Sequence, residues 1–320
     1  MESENKNAKG ASEETKPQSG GNTDRLATFN QYRGLLFSVA YRMLGSVADA
    51  EDMLQETFIR WQQAANEEIR SERAFLITII TRLCINELQS ARARREEYVG
   101  EWLPEPLITS PSGNRANDPL GALKADESLS MAFLLLLERL TPIERAVFLL
   151  REVFEYEYEE IAHILGQNEA NCRQILSRAR QHVGDMRRRF EASTGEHQAL
   201  FQRFIQATRS GDMQALVDLL SSDVVLHTDG GGKAVALPKE VHGAANVAAT
   251  IIDRVGKTLP KNLVPRMTKI NGKPGIVSYL NGKPFSAFTV DISGGRVQAI
   301  YVVSNPEKLA HLPDLPSAPQ

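Results

Sequence analysis

Three dipeptides limit the possible folds of this chain more than any other feature: Asn271-Gly272, Asn281-Gly282 and Gly294-Gly295. Each offers two consecutive residues that tolerate positive φ, which a tight two-residue hairpin requires. They separate short β-branched and aromatic runs, "GIVSYL", "FSAFTVDI" and "RVQAIYVV", with "VVLH" upstream. Before about Thr194 the texture is different, with apolar residues recurring at helical spacing. "HQALFQRFIQATRSG", "MQALVDLLSS" and "GAANVAATIIDRV" read as further helices beside the strands. Helices first and a curled antiparallel sheet afterwards predict all-α domains followed by an α+β domain.

The 320 residues divide accordingly. Residues 1–24 have almost no apolar side chains and are expected to be a disordered polar tail. Residues 25–97 form a first helical block, 98–124 a linker rich in proline and glycine, and 125–193 a second helical block. The α+β domain covers 194–312, and 313–320 is a short tail. No apolar run approaches the length of a membrane span, and no amino-terminal apolar segment suggests a signal peptide. A cytoplasmic protein without membrane contact is expected. Cys84 and Cys172 lack CxxC spacing and fall in helical patterns, which argues against a disulfide or a zinc site. The net charge of −3 argues against polyanion binding by the whole molecule, although an average can hide a basic patch.

Such a patch lies in "YEEIAHILGQNEANCRQILSRARQHV". Ala162 allows two helices to approach, Gly166 turns the chain, and Cys172 plugs the corner six residues later, which is helix-turn-helix spacing. Cys172, Ile175, Leu176, Ala179 and Val183 share one face of the second helix. Arg173, Gln174, Ser177, Arg178 and Gln181 fall on the other, where they can bond base edges and phosphates.

In the first block, "GSVADAEDMLQETFIRW" places Ala50, Leu54, Thr57 and Trp61 on one helix face amid acidic residues. The next helix, "AFLITIITRLCINELQSARARR", is apolar around most of its circumference but carries a polar stripe of Thr78, Thr81, Arg82, Gln89 and Arg92. With Arg94 and Arg95 at its end, it suits a nucleic-acid strand laid along it.

"DAEDMLQETFIRW" resembles the polymerase-binding helix of region 2 in bacterial sigma factors of the extracytoplasmic-function (ECF) class. The following helix resembles their −10-reading segment, and 139–183 resembles region 4, which reads the −35 element. The resemblance implies core RNA polymerase, through its β′ clamp helices, and promoter DNA as partners. It places Asp49, Asp52, Gln55, Glu56 and Phe58 on the clamp-facing surface, and Arg82, Asn86 and Arg92 near the melted −10 strand.

The linker "YVGEWLPEPL" is similar to that of the ECF group with a fused SnoaL-like domain, an NTF2-like α+β cone. "HTDGGGK" and "NPEKL" match two further signatures of that group, so the resemblance runs from Arg25 to Leu312. It implies regulation without a separate anti-sigma factor, by a cone that contacts the linker and both sigma domains. The residues agree with such docking. Trp102 and Leu103, held extended by Pro104 and Pro106, form a preformed apolar ridge. Gly230, Gly231 and Gly232 permit close backbone approach, while Asp229 and Lys233 offer charge partners. Asn305, Pro306 and Lys308 of "NPEKL" complete the expected docking set.

Two rival readings of the cone stay open at this level. It could be an isomerase-like enzyme using His227, Asp229, Asp253 and Asp291, or a small-molecule sensor. The six histidines are scattered and no HExxH occurs, so neither a metal nor a cofactor is expected.

Overall fold

The computed structural model describes residues 20–64, 68–96, 98–109, 129–184, 194–257 and 259–315. The first block is three helices: α1 (Gly20–Leu44), α2 (Val47–Gln63) and α3 (Glu72–Glu96). Helix α1 begins at Gly20, so the expected disorder of 1–24 fails over its last five residues, and 1–19 lie outside the described set. Gly45, at φ 68°, breaks the chain between α1 and α2. Ser46 then caps α2 by accepting from the Asp49 amide at 3.1 Å. Val47, Ala50, Leu54, Thr57 and Trp61 are the buried stripe of α2, as the spacing predicts.

The second block contains α4 (Met131–Leu137), α5 (Pro142–Glu152), α6 (Tyr158–Leu165) and α7 (Glu169–Val183). Thr141 and Glu144 form a capping box that starts α5, with Pro142 at its first position. The two helical blocks share one continuous apolar core running from Phe29 to Val183. Buried Arg145 fastens them: its guanidinium donates to the Met43 carbonyl at 2.6 Å and to Glu138 at 3.0 Å.

The carboxy-terminal body is α8 (Thr194–Ser210), α9 (Met213–Leu219), β1 (Leu220–Asp229), β2 (Val241–His242), α10 (Ala244–Lys257), β3 (Val264–Ile270), β4 (Lys273–Leu280), β5 (Lys283–Ser293), β6 (Arg296–Val303) and α11 (Pro306–Leu309). All three dipeptides turn hairpins with positive φ at both residues, from 51° at Asn271 to 81° at Gly282. Strands lie in the order β2-β1-β6-β5-β4-β3. The expected antiparallel sheet is corrected at one pair, because β1 runs parallel to β6. Helices α9 and α10 bracket β1 and β2, and β1 lies second from the sheet edge, its parallel pairing with β6 made across a long crossover instead of a hairpin.

Alternation along β5 separates the two faces of the sheet. Phe288, Val290 and Ile292 join Phe201 and Phe204 under the helices, with the Phe288 ring centroid 5.8 Å from that of Phe204. Ala287 lies on the other face with Val277, Tyr279, Tyr301 and Val303, against Leu103, Met131 and Ala132. The cone thus packs on the linker and the start of the second block. The expected tail also changes: Leu315 donates its amide to the Gly282 carbonyl at 2.9 Å, and Asp314 pairs with Lys283 at 2.5 Å. Residues 313–315 belong to the cone.

Candidate functional site

Twelve linker residues, 98–109, run as an extended ribbon between the first helical block and the cone. At their centre is Asp229, the last residue of β1, whose side chain is fully buried. Its carboxylate accepts from the Tyr98 hydroxyl at 2.6 Å, the Leu103 amide at 2.8 Å and the Lys308 ammonium at 2.6 Å. Lys308 also donates to the Leu103 carbonyl and lies over the Trp102 ring, 4.2 Å from its centroid. Asn305 donates to the Tyr98 oxygen at 2.8 Å, accepts the Glu307 amide and thereby caps α11, with Pro306 behind it. Burial, then the bond to Asp229, raises the Tyr98 hydroxyl well above the usual tyrosine range, keeping it a donor.

Glycine allows the close approach at two places. A Cβ on Gly231 would sit 2.9 Å from the Tyr98 hydroxyl oxygen, and one on Gly232 would sit 3.1 Å from the Val99 Cβ. Both have positive φ. These glycines therefore meet the start of the linker, and the ridge of Trp102 and Leu103 seats elsewhere. Leu103 enters the outer-face core of the cone, while the Trp102 edge would meet a Cβ on Gly45 at 2.8 Å. Gly230 packs within its own loop, on the Ala234 carbonyl. Lys233 is corrected as a linker partner, since it pairs with Glu307 in the cone.

The sequence reading missed several members. Glu105, between Pro104 and Pro106, turns toward the first block and bonds Ser46 and Val47. Asn271, the first residue of a hairpin turn, is fully buried. It accepts from the Leu107 amide at 2.9 Å and donates to the Tyr41 hydroxyl at 2.6 Å and the Leu129 carbonyl at 2.9 Å. One side chain thereby joins both helical blocks, the linker and the cone. His311 bonds the Pro106 carbonyl at 2.8 Å. The available signal was charged residues inside an apolar linker; Asn271 was hidden by its adequacy as a turn residue.

Of the residues considered for catalysis, His227 and Asp291 both meet Tyr301. His227 stacks on Tyr301 and bonds Glu101 of the linker at 2.5 Å. Glu240 stands 3.6 Å from the same nitrogen, so three potential metal donors meet here, although the spacing gave no metal motif. As it stands, the group is a hydrogen-bonded bridge between linker and cone. Asp253 is exposed on α10. Asp291 bonds Tyr301 and the Ala132 amide of the second block.

In the second block, Gly166 ends α6 at φ 64°, and Asn168 caps α7. Cys172, Ile175, Leu176, Ala179 and Val183 are buried, while Arg173, Gln174, Ser177, Arg178 and Gln181 are exposed.

Comparison with known proteins supplies the decisive observation. Residues 28–94 match the family described as Sigma-70 region 2, and 130–183 match Sigma-70, region 4. Over 299 residues the chain is 36% identical to the ECF RNA polymerase sigma factor SigJ of Mycobacterium tuberculosis, covering 90% of this chain and 94% of SigJ. The chain belongs to the ECF sigma factors. The crystal structure of M. tuberculosis SigJ aligns with a TM-score of 0.70 and 31% identity, over 89% of this chain and 98% of that one. SigG of the same organism is 27% identical over 309 residues, covering 87% of this chain and 80% of SigG. The carboxy-terminal body of this sigma factor is an α+β domain with its helices packed on one face of a six-stranded sheet.

Within the sigma factor, Asp52 and Gln55 are exposed on α2, Asp49 and Glu56 are half-buried, and Glu56 pairs with Arg60 at 2.8 Å. Phe58 is half-buried, its ring edge-on to that of Phe29 with the centroids 4.9 Å apart. On α3, Asn86 is exposed, but Thr81 is buried and leaves the expected polar stripe. Arg82 donates to the Ile164 carbonyl at 2.8 Å, joining α3 to the end of α6. Arg92, Arg94 and Arg95 continue α3, with side chains outside the described set.

Proposed function

We propose that this ECF sigma factor brings core polymerase to its promoters under the control of its own cone, which acts by docking on the linker and without chemistry. In this reading α2 binds the clamp helices through Asp49, Asp52, Gln55 and Glu56. Helix α3 meets the −10 strand through Arg82, Asn86, Arg92, Arg94 and Arg95, and α7 reads the −35 element through Arg173, Gln174, Ser177, Arg178 and Gln181. The observation that carries the regulatory part is the buried Asp229 carboxylate, shared by Tyr98, Leu103 and Lys308. A buried carboxylate is costly unless fully paired, and two of its three donors belong to the linker.

The docked state is closed toward DNA. The −10 and −35 elements are centred about 25 base pairs apart, roughly 85 Å at 3.4 Å per pair. Here the Arg82 guanidinium of the −10 helix bonds carbonyls in the last turn of α6, the first helix of the helix-turn-helix. Transcription then requires the two helical blocks to separate, and the cone sets the free energy of that step. An anti-sigma factor is not needed to hold the blocks together.

The test is run-off transcription with purified core polymerase, comparing the full chain with Asp229→Asn and with truncations removing α11 and then the whole cone. Promoter-specific transcripts whose yield changes with these alterations are expected. Promoter-specific activity identical in every form would overturn control by the cone, and its absence in every form would overturn the initiation role of this chain.

A further inference from the structure

Helix α2 begins immediately after the turn at Gly45, and its first amides need acceptors. Ser46 satisfies Asp49. The Val47 amide, at 2.7 Å, and the Ala48 amide, at 3.4 Å, are met by a different group, the carboxylate of Glu105. Its other oxygen accepts from the Ser46 hydroxyl at 3.0 Å, so one linker side chain engages the cap residue and the two amides that follow. Glu105 is only 8% exposed. Its own amide donates to the Gly45 carbonyl at 2.8 Å, and its carbonyl accepts from Tyr41 at 2.7 Å.

This placement is more than packing. An anion at a helix start meets both the unpaired amides and the positive end of the helix dipole. Pro104 and Pro106 fix its flanking backbone, and His311 of the cone bonds the Pro106 carbonyl and stands 3.6 Å from the carboxylate. The helix it caps carries the proposed polymerase-facing residues, and the first of them, Asp49, lies in the capped turn.

We propose that Glu105 is a positioning residue for core-polymerase binding, a detachable cap that the docked linker lends to α2, so that the state of the cone is transmitted to the polymerase-facing helix. This rests on α2 being the clamp-binding element. When the linker leaves, the first turn of α2 keeps only the Ser46 cap and frays, and polymerase affinity falls. The cone thereby acts on two steps, promoter reach and polymerase recruitment, through one segment.

The experiment measures equilibrium binding of the full-length protein to purified core polymerase, with amide hydrogen exchange at Val47, Ala48 and Asp49. Glu105→Ala is expected to weaken binding on the order of tenfold and to accelerate exchange at those amides. Glu105→Gln, which keeps an acceptor without the charge, should recover part of both losses. Asp229→Asn, which loosens the linker from the cone, should reproduce the exchange pattern, and its effect on binding should not add to that of Glu105→Ala. A folded Glu105→Ala protein with unchanged polymerase affinity overturns the proposal if the double variant Asp52→Lys, Glu56→Lys loses binding. If that double variant also binds normally, the fault lies in the assignment of α2. Loss of binding without faster exchange at Val47 and Ala48 equally overturns the capping role.

Discussion

Asp291, a carboxylate weighed in the rival enzyme reading, lies where the cone meets the second helical block. It is buried, and one of its oxygens has no hydrogen-bond partner among the described residues. Burial raises its carboxyl above the usual carboxylate range, while Lys273, Tyr301, the Ala132 amide and His197 pull the other way. A folded-state value above the unfolded one means that folding takes up a proton. Its stabilising contribution is full below the unfolded value, near pH 4, and is lost as pH rises through the folded one. Above the folded value the buried charge is therefore a cost. Asp291→Asn should raise the melting temperature at pH 7.5 by on the order of 2–4 °C, with the advantage shrinking as pH is lowered toward 4. A lower melting temperature at neutral pH would refute this account. The buried Asp229 carboxylate, in contrast, is paired with the Lys308 ammonium at 2.6 Å. Lys308→Met leaves that carboxylate buried without its cation and should destabilise the docked state by about 3–5 kcal/mol, measured by denaturant unfolding.

At the scale of elements, the hairpins and α7 were the most legible parts, because each depends on local chemistry. Positive φ at Asn281-Gly282, or the alternation of Cys172 with Arg173, is decided within a few residues. The parallel β1–β6 pairing and the role of β3 were not legible, since they depend on partners distant in the chain. Asn271 belongs to both classes. Its φ of 51° was readable as a turn, whereas its bonds to Tyr41, Leu107 and Leu129 were not. Asn271→Gly preserves the turn and deletes those three bonds. The cone should stay folded while hydrogen exchange at Leu107 accelerates, and unaltered exchange there would remove Asn271 from the docking machinery. On α7, Arg173 pairs with Glu169 at 2.6 Å and lies over the Tyr158 ring. It must release these contacts to reach DNA, so Arg178→Ala should weaken −35 binding more than Arg173→Ala, by about 1–3 kcal/mol if a base contact is lost. Equal losses on titrating duplex DNA would show that the Glu169 pair does not restrain Arg173.

For the whole molecule, the linker and the glycine loop should behave as one device. Trp102→Ala withdraws a ring from Lys308 and Gly45, and Gly231→Asp places a side chain where Tyr98 and Asn305 already stand. Both loosen the same docked state, so promoter activity should move in the same direction in each, and the double variant should fall short of the sum. Strictly additive effects would separate the two sites. The ion pairs on the cone surface, such as Lys233 with Glu307, are exposed and should contribute little.

The linker is also docked against the order in which the chain is made. Leu103 and Leu107 are fully buried, yet their partners Asp229, Asn271 and Lys308 leave the ribosome more than a hundred residues later. At about 5–20 residues per second, synthesis from the linker to His311 takes roughly 10–40 s. Both helical blocks are complete, and can join through their shared core, before the cone exists to receive the linker. Each new molecule therefore passes through a youth in which its linker has no cone to seat on, and docking arrives only with the last strands.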